Sequence, residues 1–105
     1  MSIVWNRANP IDIAIELCSQ RWTLNIMMSL SSGPKRFGEL LRSLDGISKR
    51  TLTQRLRFLE REGVVNRHEY KESPPHVEYS LTDRGAEFKT VLDDMETWAA
   101  NLLQS

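Results

Sequence analysis

Apolar residues recur along this chain at helical spacing, then alternate, then return to helical spacing. Ile11, Ala14, Ile15 and Cys18 follow Pro10 at steps of three and four. That predicts a helix opened by Pro10 at its first turn, where a missing N–H leaves nothing unpaired. Residues 22–30 (Trp22, Leu24, Ile26, Met27, Met28, Leu30) are apolar nearly all round, which predicts a central buried helix closed by Gly33-Pro34. Phe37, Leu40, Leu41 and Leu44 form a clean stripe for a short third helix, broken at Asp45-Gly46. Ile47 is apolar in the turn, Ser48 is a good N-cap, and a fourth helix is expected from about 49 to 62, stopping at Gly63.

Beyond Gly63 the period changes. Residues 64–70 and 77–81 read as two strands, with Val77, Tyr79 and Leu81 alternating against Glu78 and Ser80. Between them, KESPPH suits a solvent-exposed hairpin tip. Thr82 caps a last helix through about 103, along which Phe88, Val91, Met95, Trp98 and Leu102 recur at threes and fours, while Leu92, Ala99 and Leu103 add a second apolar edge. With no repeats or interior linker, the 105 residues are expected to form one domain, small enough that a core is marginal without a partner.

Charge changes the picture. The chain is neutral overall, yet residues 35–71 hold ten Lys or Arg against Glu39, Asp45, Glu60, Glu62 and Glu69. A cationic face can therefore exist on a chain whose total hides it. At ~100° per residue, Leu52, Leu56 and Leu59 fall within about 60° of one another on the fourth helix. Arg50, Gln54, Arg57 and Arg61 fall opposite, with Thr51 and Thr53 on the shoulders. Arg suits guanine O6/N7 and Gln suits adenine N6/N7 in bidentate geometry. Ser48, Lys49 and the N–H groups at the helix start are placed for phosphates. A short striped helix, a Gly-containing turn and this polar-faced helix make a helix-turn-helix pattern over about 37–62. The hairpin of about 64–81 adds a wing offering Lys71 and His76, with Arg67 and His68 on its first strand. The expected fold is mainly α with a small β-hairpin, a winged helix-turn-helix, and the DNA-contacting set is Arg36, Ser48, Lys49, Arg50, Thr51, Thr53, Gln54, Arg57, Lys71 and His76.

Three stretches, RWTLNIMMSL, GPKRFGELLRSLDGISKRTLTQRLRFLEREGVV and PPHVEYSLTDRG, give the chain a resemblance to the HxlR-type winged helix-turn-helix transcriptional regulators, from about residue 10 to 98. The resemblance implies a sequence-specific regulator acting as a homodimer through N- and C-terminal helices, with residues 48–62 as recognition helix. Many members carry a cysteine directly before the proline of the first helix, and some use it to sense oxidants; here Asn9 stands there, and Ser19-Gln20 replaces a frequent Gly-Gly. The lone Cys18, on the Ile11/Ala14/Ile15 stripe, is expected to be a buried structural thiol, and DNA binding to be insensitive to diamide.

The last helix carries more apolar surface than one core needs, which predicts a coiled-coil-like seam between two copies. The set assigned to it is Trp5, Ile11, Phe88, Val91, Leu92, Met95, Trp98 and Leu102. The partners expected are double-stranded DNA, as a palindrome, and a second copy of the chain. A single cysteine and no signal-peptide or membrane-spanning run suggest a reducing, cytoplasmic setting. No Gly-rich phosphate loop, metal-ligand spacing or nucleophile–base pair is evident, so neither catalysis nor a cofactor is expected. The alternative is a winged-helix module in which Arg50, Arg57 and Arg61 meet an acidic protein. An effector, if one exists, is not specified.

Overall fold

The computed structural model describes residues 9–104. Trp5, assigned to the contact between copies, lies outside the described residues. The elements run α1 (Pro10–Ser19), α2 (Thr23–Leu30), β1 (Lys35–Arg36), α3 (Phe37–Ser43), α4 (Lys49–Arg61), β2 (Val65–Tyr70), β3 (His76–Leu81) and α5 (Asp83–Leu103). The sheet has three antiparallel strands in the order β1-β3-β2. The sequence reading contained only the hairpin. Lys35 pairs with Tyr79 and Arg36 with Glu78, so β3 is central and its alternation is blunted: Tyr79 alone is buried, while its neighbours on both faces are half-buried.

Each helix end is set by local chemistry. Asn9 caps α1, its Oδ1 accepting from Ile11 N at 3.2 Å. Glu39 reaches back to accept from the Arg36 N–H at 3.0 Å, opening α3. Gly46 and Gly63 sit at φ +93° and +76°, left-handed positions that end the third and fourth helices without a Cβ penalty. The side chain of Thr82 accepts from Gly85 N at 3.0 Å and donates to the Gly63 carbonyl at 2.7 Å, so the start of α5 is bolted to the α4–β2 turn. Here two backbones touch. A Cβ on Gly85 would collide with the Val64 carbonyl oxygen and press on Leu81.

The core is built where the stripes meet. Ile26 and Met27 of α2, Leu40 of α3 and Leu52, Leu56 and Leu59 of α4 are closed to solvent. Burying each such side chain contributes on the order of 1.5–3 kcal/mol. Phe58 is buried as well, although it lies about 120° from the leucine stripe at 100° per residue, so α4 packs on two sides. The helix α2 is less enclosed than its composition suggests, because Met28 stays half exposed. Its buried polar group, Thr23, sets Oγ1 2.8 Å from Leu17 O and 2.9 Å from Gln20 O, tying the end of α1 to α2. Between them Trp22 takes a left-handed conformation, φ +82°, with the Arg21 guanidinium 5.0 Å from its ring centroid.

Two elements hold apolar surface away from this core. No residue of α1 is buried, and Ile11, Ile13 and Ile15 are exposed. Cys18 is exposed too, which corrects the expectation of a buried thiol: the stripe it shares faces outward in the single chain. Neighbouring groups still desolvate it enough to push the thiol's pKa above its usual value. In α5, Phe88 and Leu92 pack half-buried against the chain's own core. Every residue from 93 to 104 is exposed, including Met95, Leu102 and Trp98, whose surface is 67 % accessible. Among the described residues, no helix is long and apolar enough to cross a membrane.

Candidate nucleic-acid interface

The turn after α3 aims α4. Ile47 is buried beneath it, Ile47 N bonds Leu44 O at 3.1 Å, and Ser48 takes the extended conformation of an N-cap. With Leu52, Leu56 and Leu59 facing the core, the opposite side of α4 is left to solvent. Arg50, Gln54, Arg57 and Arg61 are all exposed there. None has a side-chain hydrogen bond or ion pair among the described residues, and the Glu60 that follows Arg57 by three is half-buried. Four unpaired polar side chains on one ridge, three of them cations, form an anion-seeking surface with both donors and an amide available.

The flanking hydroxyls are less free than their positions suggest. Ser48 Oγ accepts from Thr51 N at 3.0 Å and gives its proton to Thr51 Oγ1 at 2.9 Å. Its hydroxyl is thus engaged at the first turn of the helix. Thr51 keeps its own proton. Thr53 Oγ1 donates to Lys49 O at 2.9 Å. Lys49 is exposed at the helix start, and Arg36 is exposed at the head of α3, with only donors to offer. Arg55 turns the other way. Its Nε donates to Arg21 O at 2.7 Å, linking α4 to the α1–α2 turn.

The wing differs most from expectation. Lys71 is exposed at the tip beside Glu72. The His76 ring stacks on Tyr70, centroids 4.6 Å apart and planes 14° off parallel, and its Nε2 lies 3.7 Å from Glu78 Oε2. His68 meets the same tyrosine edge-on at 4.3 Å. The Glu78 carboxylate, by its charge first and its hydrogen bond after, holds the Tyr70 phenol above its usual pKa. Arg67 is paired with Glu69, whose carboxyl it holds below the ordinary range by hydrogen bond and charge. So His76 is engaged within the sheet, Arg67 is paired with Glu69, and Lys71 stands exposed at the tip, where its charge also reaches Glu69. What sequence reasoning missed was the cross-strand register that sets Tyr70 opposite His76 and His68 opposite Glu78.

Between α2 and α5 lies an open hollow of about 220 Å³ lined by Met28, Ser31, Lys89, Leu92, Asp93 and Glu96. Among the described residues there is no cluster of three His, Cys, Asp or Glu side chains able to hold a metal.

A family model of the HxlR-like helix-turn-helix matches residues 17–105. The chain belongs to that family. This HxlR-like chain is 43 % identical over 95 residues to an HTH-type transcriptional regulator of Synechocystis sp., spanning 90 % of this chain and 70 % of the relative. Its fold superposes on a MarR-family transcriptional regulator from Enterococcus faecalis V583 with a TM-score of 0.86, at 38 % identity, covering 98 % and 94 % of the two chains. The reduced form of the regulator YodB from B. subtilis gives a TM-score of 0.81 at 36 % identity, covering 86 % of this chain and 88 % of YodB. The HxlR-like chain is accordingly a winged-helix transcription regulator, and its family is not one of enzymes.

Proposed function

We propose that two copies of this chain bind duplex DNA at a palindromic site, each laying α4 in a major groove. One observation carries the reading: Arg50, Gln54, Arg57 and Arg61 stand exposed and without a side-chain partner on the one face of α4 that the core does not use. Lys49, Thr51 and Arg36 flank that ridge and are suited to phosphates, which fix register while the ridge meets base edges. Lys71 adds one weak contact from the wing. The second copy is supported by the apolar surface of α1 and of the outer half of α5, where Ile11, Val91, Met95, Trp98 and Leu102 are exposed. Two-fold symmetry would then set half-sites about 34–36 Å apart, or a multiple of that.

The test is duplex binding as a function of salt. Neutralising about six phosphates releases counterions, so affinity should fall on the order of a thousandfold between 50 and 200 mM salt. A chain that binds no duplex at low salt, or binds with no salt dependence, contradicts the proposal and turns attention to an acidic protein as the ridge's partner.

A further inference from the structure

The hydroxyls of Ser48 and Thr53 at the head of α4 are engaged within the helix, and this narrows which base pairs the helix can select. Resting on the DNA-binding reading above, we infer that each half-site is read by Arg50, Gln54 and Arg57, with Thr53 in support, as a G·C pair, an A·T pair about two steps on and a second G·C pair about one step further.

The elimination comes from hydrogen bonds. The Ser48 hydroxyl is turned to Thr51 and the Thr53 hydroxyl to Lys49 O, while the half-buried Thr51, whose donor is free, flanks the ridge and is assigned to a phosphate. The ridge carries no carboxylate to accept from cytosine N4, since Glu60 is half-buried toward the core side. What remains exposed and unpaired on the ridge is three guanidiniums and one amide, of which Arg50, Gln54 and Arg57 lie in its first three turns. A guanidinium meets guanine O6 and N7 with two donors, and an amide meets adenine N7 and N6 with one donor and one acceptor. These chemistries call for G, A and G.

Spacing gives their order. Arg50 and Gln54 lie four residues apart, ~6 Å along the axis at a rise of about 1.5 Å per residue. Stacked bases are about 3.4 Å apart, so the two side chains address pairs about two steps apart. Gln54 to Arg57 is three residues, ~4.5 Å, or a little over one step. Arg61 is a further turn along, where a straight helix leaves a curving groove, and is assigned to the backbone. Thr53 then gains a role. With its hydroxyl turned to Lys49 O, its methyl is the group left for the groove, beside the pair that Gln54 addresses. The thymine partner of that adenine presents a C5 methyl, an apolar match.

The experiment is selection of bound duplexes from a randomised pool with the full chain, followed by titration of the selected duplex. Gln54→Ala should lose roughly tenfold discrimination at the A·T position and keep both G·C preferences. Arg50→Ala should do the converse at the first G·C. Replacing the thymine by deoxyuridine should weaken binding about fourfold, the value of one buried methyl, for the natural chain but not for Thr53→Ser. All three side chains are partly or fully exposed, so the variants should fold. Selected sites that lack this pattern, or keep it in Gln54→Ala, overturn the inference while salt-steep binding leaves the DNA-binding reading intact. Failure to bind any duplex at low salt overturns that reading, and the inference with it.

Discussion

Ser48 and Gly85 show how much of this molecule rests on single atoms. Ser48 Oγ closes the first turn of α4 and leaves the ridge in place, so Ser48→Ala should cost about 1 kcal/mol of stability, measurable by urea denaturation. Gly85 faces the Val64 carbonyl with no room for a methyl. Gly85→Ala should destabilise by roughly 1–3 kcal/mol despite its better helix propensity, because the backbones of α5 and the α4–β2 turn must part. An unchanged midpoint would mean the approach is looser than drawn. Cys18 is the residue to watch under oxidants. Diamide-treated YodB has a related fold, with a TM-score of 0.76, but here the thiol's pKa is raised and Asn9 precedes Pro10, so duplex binding should survive diamide. A reversible loss that disappears in Cys18→Ser would refute this.

At the scale of elements, α4 and α5 were largely legible from sequence because local and global signals agree in them. Ser48 and Thr82 cap where expected, Gly63 stops α4 with a positive φ, and the leucine stripe faces inward. The misses have physical causes. Two residues of β1 are too few to show any alternation, and only their register with Tyr79 and Glu78 makes them a strand. Phe58 lies off the leucine stripe, on a second side of α4 that the core also buries and that a single stripe does not mark. Phe88 and Leu92 share the spacing of Met95 and Trp98, yet a helix that leaves its core part-way along splits one stripe between two destinations. In the wing, sequence shows which basic side chains exist but not that Glu69 sits against Arg67 and Glu78 against His76. Arg55 is a similar case: it reads as another surface cation but ties α4 to Arg21 O. Arg55→Ala should therefore lower stability, by about 1 kcal/mol for the lost bond, where Lys71→Ala changes it little.

For the whole molecule, the exposed apolar excess and the cationic ridge lie on different elements, which suits the symmetric DNA-binding assembly proposed above. The chain spans 52 Å along its longest axis and 27 Å along its shortest. Its apolar excess is on α1 and the outer half of α5; its cationic ridge is on α4. Trp98→Asp should consequently shift the chain toward monomer in sedimentation, since a carboxylate would be desolvated at the seam, while leaving the helical content of the domain intact. If the variant sediments as the natural chain does, the seam lies elsewhere. Duplex affinity should fall with the loss of the dimer, because two half-sites are then no longer held together.

The claim on which the rest depends is that the solvent face of α4 is the surface that meets DNA. The most direct measurement is fluorescence anisotropy of a labelled selected duplex titrated with the natural chain and with the Arg50→Ala/Arg57→Ala double variant, at one salt concentration. Both arginines are exposed and unpaired, so the variant should keep its fold and oligomeric state. The prediction is a loss of roughly a hundredfold in affinity, about 1–3 kcal/mol for each arginine. Equal affinity of the two proteins would contradict it.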